Sequence, residues 1–280
     1  MPLTLRPLPG GLGAEVDCDL SQPRELPLAP ELANALAHHR LLVFPQQHLN
    51  HADLHAVSAY FGTVDTDVDR RYAVAGFPGI TCVSNIVEDG GHVGIYDGDD
   101  EEEWHADNSF KPELTRATLL YSVITPEQGG QTRFADATRA YAELPPELKE
   151  QIEGLRACHS IQQLGTLQAQ ASGGTSSAAA GSLAGQPEAQ HPLVLTHPVT
   201  GARSLLLGPM VIRGIVGMTA EESSSLLSKL TEHTTSPPYI YSHPWCQGDL
   251  VVWDNLATLH TASPCDSARH HRLLYRASVR

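Results

Sequence analysis

The stretch Trp104-His105-Ala106-Asp107, taken with His260 far downstream, constrains this chain more than any other feature. A histidine and a carboxylate separated by one residue face the same side of an extended strand, so both can reach one metal ion without bending the backbone. Together they make half a metal site, and the fold must bring a third ligand to them. Residues 248–260 offer it: Gly248-Asp249 turns into the apolar run Leu250-Val251-Val252-Trp253, which passes through a turn and ends on His260. Two imidazoles and one carboxylate on one face of an octahedral ion, here His105, Asp107 and His260, suit non-haem Fe(II) with open positions for cosubstrate and oxygen.

An H-x-D triplet alone is a weak signal, because 15 histidines and 32 acidic residues produce such spacings by chance. Its companions give it weight. Downstream of His260 lie Arg272 and Arg276. On a strand, Arg272, Leu274, Arg276 and Ser278 share one face, while Leu273, Tyr275, Ala277 and Val279 share the other. Both faces carry apolar groups, which predicts a strand covered on both sides. A buried guanidinium needs an anionic partner, since an uncompensated buried charge costs several kcal/mol. A carboxylate arriving with a ligand matches its planar fork.

These residues resemble the TauD/TfdA group of Fe(II)- and 2-oxoglutarate-dependent dioxygenases. The resemblance rests on Leu41-Leu42-Val43-Phe44-Pro45, Phe61-Gly62, Trp104-His105-Ala106-Asp107, Gly129-Gly130-Gln131-Thr132, residues 144–155, Thr196-His197-Pro198 with Gly201, and residues 248–260 followed by Arg272 and Arg276. They run in family order over nearly the whole length. The resemblance implies a mainly β chain with peripheral helices, folded as a double-stranded β-helix, the cupin-like jelly roll whose mouth holds the metal. It implies Fe(II) on His105, Asp107 and His260, with 2-oxoglutarate and O2 as cosubstrates and succinate and CO2 as coproducts. Thr132 and Arg272 would anchor the distal carboxylate of 2-oxoglutarate. The carboxylate of Asp107 points to hydroxylation, because halogenases of this kind lack it to make room for halide. Arg276 matches a position that grips a substrate sulfonate, so a small anionic substrate, sulfonate or carboxylate, is expected. The competing reading has Arg276 supporting Arg272 or pairing with an acid. A rival class is a zinc-binding jelly-roll hydrolase or a non-catalytic metal-binding protein, since the same ligands suit Zn2+. A hydrolase, however, has no use for a dicarboxylate anchor.

The rest of the chain is consistent with one domain over residues 1–280 with an adequate apolar fraction of 41%. A net charge of −14 argues against nucleic acid or an anionic membrane as a partner. Cys18, Cys82, Cys158, Cys246 and Cys265 have no framework spacing and read as reduced thiols of a cytoplasmic protein. The first residues lack a signal-peptide core and no apolar run reaches transmembrane length. Self-assembly into a homo-oligomer is compatible with the sequence but is not specified by it.

Residues 3–18 read as short strands broken by glycines, and residues 30–39 as a helix leading into a buried strand over residues 41–44. Asn50 with Asp53 caps a second helix carrying Leu54, Val57 and Phe61. His48, His51 and His55 beside it read as surface residues. Residues 81–87 and 117–124 are strands by their β-branched and apolar content. Residues 88–103, rich in glycine and acid, are expected to form a mobile lid, with Asn85 and Tyr96 as candidate substrate contacts. Residues 136–141 and 146–155 are expected to be helical. Residues 168–190, biased to Ala, Ser, Gly and Gln, are expected to be a flexible insertion that cannot bury enough apolar surface to order itself. A hairpin follows around Pro198-Val199-Thr200-Gly201. Thr219 with Glu222 forms a capping box for a helix reaching about His233, and residues 239–245 form a strand.

Overall fold

A computed structural model describes residues 3–21, 28–68, 70–89, 91–96, 103–161 and 188–280, without the side chains of His92 and Tyr96. A large nine-stranded sheet runs in the order β1 (Thr4–Pro7), β2 (Ala14–Asp17), β3 (Leu41–Phe44), β17 (Leu250–Asp254), β9 (Ala117–Ile124), β19 (Leu273–Val279), β5 (Phe77–Ser84) and β4 (Ala73–Val74), with β8 (Ile95–Tyr96) pairing with β5. Among the described residues only the β2–β3 and β5–β8 pairs are parallel. A smaller sheet has the order β16 (Ile240–His243), β10 (Thr132–Asp136) and β18 (Thr258–Ala262). The expected double-stranded β-helix is therefore present.

Alternation of side chains along each strand sorts the core. On the outer face of the large sheet, Leu42, Phe44, Leu119, Leu250, Val252, Ala277 and Val279 form one apolar cluster with residues of α1 (Leu28–His39) and α2 (His51–Ser58). The intervening residues Leu41, Val43, Leu120, Val251, Trp253 and Leu274 point inward, where Phe134 of the small sheet joins them. The Phe134 and Trp253 rings lie 5.3 Å apart, one from each sheet. Each fully buried side chain of this size contributes about 1.5–3 kcal/mol. A third cluster gathers α3 (Ala137–Ala142), α4 (Pro146–Ile152) and α5 (Ala220–Thr234) beside the small sheet.

Local rules account for the helix ends. Asn50 Oδ1 accepts the backbone N–H groups of Ala52 and Asp53, while Asp53 accepts that of Asn50. Thr219 and Glu222 exchange the same reciprocal bonds at α5, and Asp136 caps α3 through the N–H of Arg139. These satisfy N–H groups that a helix start leaves without partners.

Several expectations need correction. Residues 188–190, assigned to the flexible insertion, instead lead into β12 (Ala189–Pro192), which pairs with β11 (Arg156–His159) in a sheet completed by β15 (Ile212–Ile215). The rest of the insertion lies outside the described residues. The hairpin of β13 (Val194–Thr196) and β14 (Arg203–Leu205) forms as expected. The region of the proposed lid contains an antiparallel pair, β6 (Val87–Glu88) with β7 (Gly91–His92), and then β8, so it is partly ordered by backbone pairing. Its acid-rich residues 97–102 lie outside the described residues. His48 is exposed, but His51 and His55 are half-buried. The His51 ring packs edge-on against Tyr275 at 4.6 Å, and His55 faces Phe77 at 6.4 Å. Nearby apolar rings thus draw both histidines off the surface.

Candidate active site

The three predicted ligands converge. One ligand atom from each of His105, Asp107 and His260 lies within 4.8 Å of the others, and all three residues are buried. The backbone makes this meeting. His105 N–H donates to His260 O at 3.0 Å and His260 N–H donates to His105 O at 2.9 Å. This isolated antiparallel bridge puts both imidazoles on one face, with ring centroids 4.2 Å apart. His260 is not at a strand end, as its sequence context suggested, but in the middle of β18, paired with Phe134 on its other side. Nor do His105 and Asp107 share a strand. The chain enters a turn at Asp107, where Asn108 adopts a left-handed φ of 53° and its amide donates to Thr115 Oγ1 at 3.1 Å.

The tautomers suit a metal. His105 Nδ1 lies 2.8 Å from Glu103 O; a carbonyl only accepts, so Nδ1 carries the proton and Nε2 presents its lone pair. His260 sits against Trp253 and Phe134, with centroids 4.7 and 6.3 Å away. Burial, reinforced by His105, lowers its pKa to about 3 and keeps the ring neutral. Burial works to raise the Asp107 pKa, but the Arg276 guanidinium and the Thr118 hydrogen bond are among the contacts that outweigh it, so the carboxyl stays below its usual range. His105 Nε2 and His260 Nε2 lie 4.0 and 3.6 Å from the Asp107 carboxylate oxygens.

A polar network fixes Asp107, and the sequence reading missed it. Thr118 Oγ1 donates to Asp107 Oδ2 at 2.7 Å. Asn255 Nδ2 donates to Thr118 Oγ1 at 2.9 Å, and Asn255 Oδ1 accepts from Asp107 N at 3.1 Å and from Trp253 Nε1 at 3.2 Å. The only sequence signal was an asparagine in the turn between β17 and β18 and a threonine on a mostly apolar strand.

Thr132 begins β10, opposite Ala262 and next-but-one to Phe134, which is opposite His260. By strand alternation Thr132 and His260 share a sheet face, about 7 Å apart along the strand direction. Arg272 Nη2 donates to Thr132 Oγ1 at 3.4 Å. Burial lowers the Arg272 pKa to about 10, which leaves it cationic at neutral pH. Arg276 Nη1 lies 3.8 Å from Asp107 Oδ1, and one third of its side chain, 33%, is accessible. Asn85 is not available to substrate. It is buried, its Oδ1 accepts from Arg272 N at 2.8 Å, and its Nδ2 donates to His270 O at 2.9 Å, so it holds the segment that carries Arg272. The Tyr96 side chain lies outside the described residues.

A double-stranded β-helix with a buried His-Asp-His cluster at its core and a buried arginine beyond it defines a class of metal-dependent oxygenase scaffolds. The model of the taurine catabolism dioxygenase TauD, TfdA family matches residues 4–278, and the chain belongs to that family. It is 33% identical to the (S)-phenoxypropionate/alpha-ketoglutarate-dioxygenase of Sphingobium herbicidovorans, over 89% of this chain and 85% of that one. It is 31% identical to the alpha-ketoglutarate-dependent 2,4-dichlorophenoxyacetate dioxygenase of Cupriavidus pinatubonensis, over 94% of this chain and 92% of that one. The crystal structure of AAD-2 in complex with Mn(II) and N-oxalylglycine superposes with a TM-score of 0.83 at 30% identity, covering 100% of this chain and 97% of that one.

Proposed function

We propose that this chain is an Fe(II)- and 2-oxoglutarate-dependent dioxygenase that hydroxylates a small anionic organic substrate, a carboxylate or sulfonate, and releases succinate and CO2. The convergence of His105, Asp107 and His260 carries this reading. Their donor types suit Fe(II), His105 turns its Nε2 away from the Glu103 carbonyl that holds Nδ1, and three protein ligands leave three positions for other ligands. When bound, Fe(II) with the keto acid supplies the oxygen activation that couples decarboxylation to hydroxylation. The protein's residues do the rest. His105 and His260 would offer Nε2, and Asp107 would offer a carboxylate oxygen aligned by Thr118. Arg272 and Thr132 would hold the distal carboxylate, which fixes the angle of the cosubstrate.

Arg276 would hold the substrate anion. Its partial exposure and its place beside Asp107 favour that role over support of Arg272, and the relatives named for phenoxypropionate and 2,4-dichlorophenoxyacetate are consistent with an anionic substrate. Its 3.8 Å approach to Asp107 gives the acid-pairing reading an observed geometry, but at a distance beyond a hydrogen bond. Residues 1–280 would act as one catalytic domain working in the cytoplasm. All five cysteines are outside disulfides, which suits a reducing compartment. No helix among the described residues is long and apolar enough to cross a membrane.

Anaerobic titration with Fe(II) and 2-oxoglutarate should produce a visible charge-transfer band, and a screen of small carboxylates and sulfonates should then reveal substrate-dependent succinate release. Absence of the band at millimolar cosubstrate contradicts the proposal.

A further inference from the structure

Thr132 is buried, 2% exposed, and its Oγ1 receives two N–H groups. The indole Nε1 of Trp245 donates at 3.0 Å and Arg272 Nη2 donates at 3.4 Å. Neither indole nor guanidinium offers an acceptor, so both bonds run toward the oxygen. A hydroxyl has two lone pairs and one proton. With both lone pairs engaged, only the proton is left, and no group among the described residues accepts it. The hydroxyl is therefore set as a donor beside a cation.

We infer that Trp245 is a positioning residue for the cosubstrate: its indole N–H turns the Thr132 hydroxyl so that the proton faces the distal carboxylate of 2-oxoglutarate next to Arg272. The inference rests on Thr132 and Arg272 being the cosubstrate anchor. Without the indole, the hydroxyl rotor could turn its proton elsewhere and present a lone pair to an anion, which repels it.

The indole is itself held. Thr132 pairs with His243 across β10 and β16, and the His243 ring meets Trp245 edge-on, with centroids 4.6 Å apart at 88°. His243 Nε2 lies 3.1 Å from Asp249 Oδ2. A carboxylate accepts, so Nε2 carries the proton and Nδ1 accepts from the Tyr241 hydroxyl at 3.2 Å. Burial pushes the Tyr241 phenol up to about 12, so it remains a donor across the neutral range. Asp249 Oδ2 also accepts Cys246 N–H at 2.9 Å, which closes the loop carrying Trp245. On the far side of Thr132, a Cβ at Gly130, where φ is +65°, would meet Arg272 Cδ at 3.2 Å, so the guanidinium stem lies directly on that glycine.

The test is calorimetric titration of 2-oxoglutarate into Mn(II)-loaded protein, which reads binding and not turnover. Trp245→Phe should weaken 2-oxoglutarate binding about fivefold, the ratio equivalent to about 1 kcal/mol for one neutral hydrogen bond, with Mn(II) affinity unchanged. Thr132→Val should weaken it more than about tenfold, because the lost bond goes to a charged group. In the Thr132→Val background Trp245→Phe should have no further effect. Unchanged binding in Trp245→Phe, additive losses in the double variant, or a parallel fall in Mn(II) affinity would overturn the inference. If wild-type Mn(II)-loaded protein binds no 2-oxoglutarate, the cosubstrate site itself is misassigned, a distinct result. Should Trp245→Phe not fold, the indole N–H resonances of the three tryptophans in the Zn(II)-loaded wild type provide the test. The signal displaced by Thr132→Val should also move on adding 2-oxoglutarate, and a stationary signal overturns the inference.

Discussion

Thr118 and Leu119 are neighbours on β9 and point to opposite faces of the large sheet. Leu119 is wholly buried in the outer cluster with α1 and α2. Thr118 is as deeply buried, yet its hydroxyl bonds Asp107 and accepts from Asn255. One strand therefore supplies apolar packing on one side and the support of a metal site on the other. The outer face is filled mainly by shape, its buried Tyr121 hydroxyl being satisfied by Gln47 O and Leu49 N–H. The inner face must satisfy every polar group it buries, since each one left without a partner costs about 1–3 kcal/mol.

This contrast can be broken from either side. The largest effect is expected at the ligands: His260→Ala, Asp107→Ala or His105→Ala should abolish Fe(II)-dependent succinate formation while the protein stays folded. Retained turnover would remove that residue from the ligand set. Next comes the pair on β9. Leu119→Ala should lower unfolding free energy by about 2–5 kcal/mol and leave Mn(II) affinity of the folded protein unchanged. Thr118→Val should instead cost about 10–100-fold in metal affinity, with a stability loss of only about 1–3 kcal/mol from the Asn255 amide left without its acceptor. Equal losses in both properties for both variants would show that the two faces are not separable. Arg276→Gln should raise the substrate requirement about tenfold, an estimate from one lost charge-assisted contact, with 2-oxoglutarate affinity unaltered; steady-state titration of each ligand in turn separates the two.

The smallest effect concerns the far end of the ligand turn. Lys111 Nζ binds Asp65 Oδ2 at 2.9 Å. Burial works to raise the Asp65 pKa, but the Lys111 contact outweighs it and holds it low. A carboxyl depressed on folding adds stability that is complete above its unfolded pKa, about 3.9, and is lost as pH falls through the folded value. Wild type should therefore exceed Asp65→Asn in stability at neutral pH, and the two should converge in acid. Denaturant melts at pH 7 and pH 3 check this.

The sequence made the local features legible because they depend on near neighbours. The capping boxes at Asn50 and Thr219, the buried run of β3 and the alternation of β19 need only a few adjacent residues to be recognised. The ligand trio was legible through its residue types and the family pattern. Contacts made across long chain separations were not legible. Asn85 could be read as a substrate contact because nothing near it reveals that its amide holds Arg272 N and His270 O. The Asn255-Thr118-Asp107 network and the Trp245 bond to Thr132 likewise join distant segments. The turn at Asp107 was hidden by the H-x-D spacing, which suits a strand equally well. Asn108 was the one local hint, since asparagine tolerates a left-handed φ.

The most direct test of His105, Asp107 and His260 as metal ligands is where a metal binds. Crystals grown with Mn(II) and N-oxalylglycine, measured at the manganese edge, should show an anomalous peak in coordinating contact with His105 Nε2, His260 Nε2 and an Asp107 oxygen, with the inhibitor's distal carboxylate at Thr132 and Arg272. A peak that leaves any of the three side chains outside the coordination sphere would contradict that ligand set.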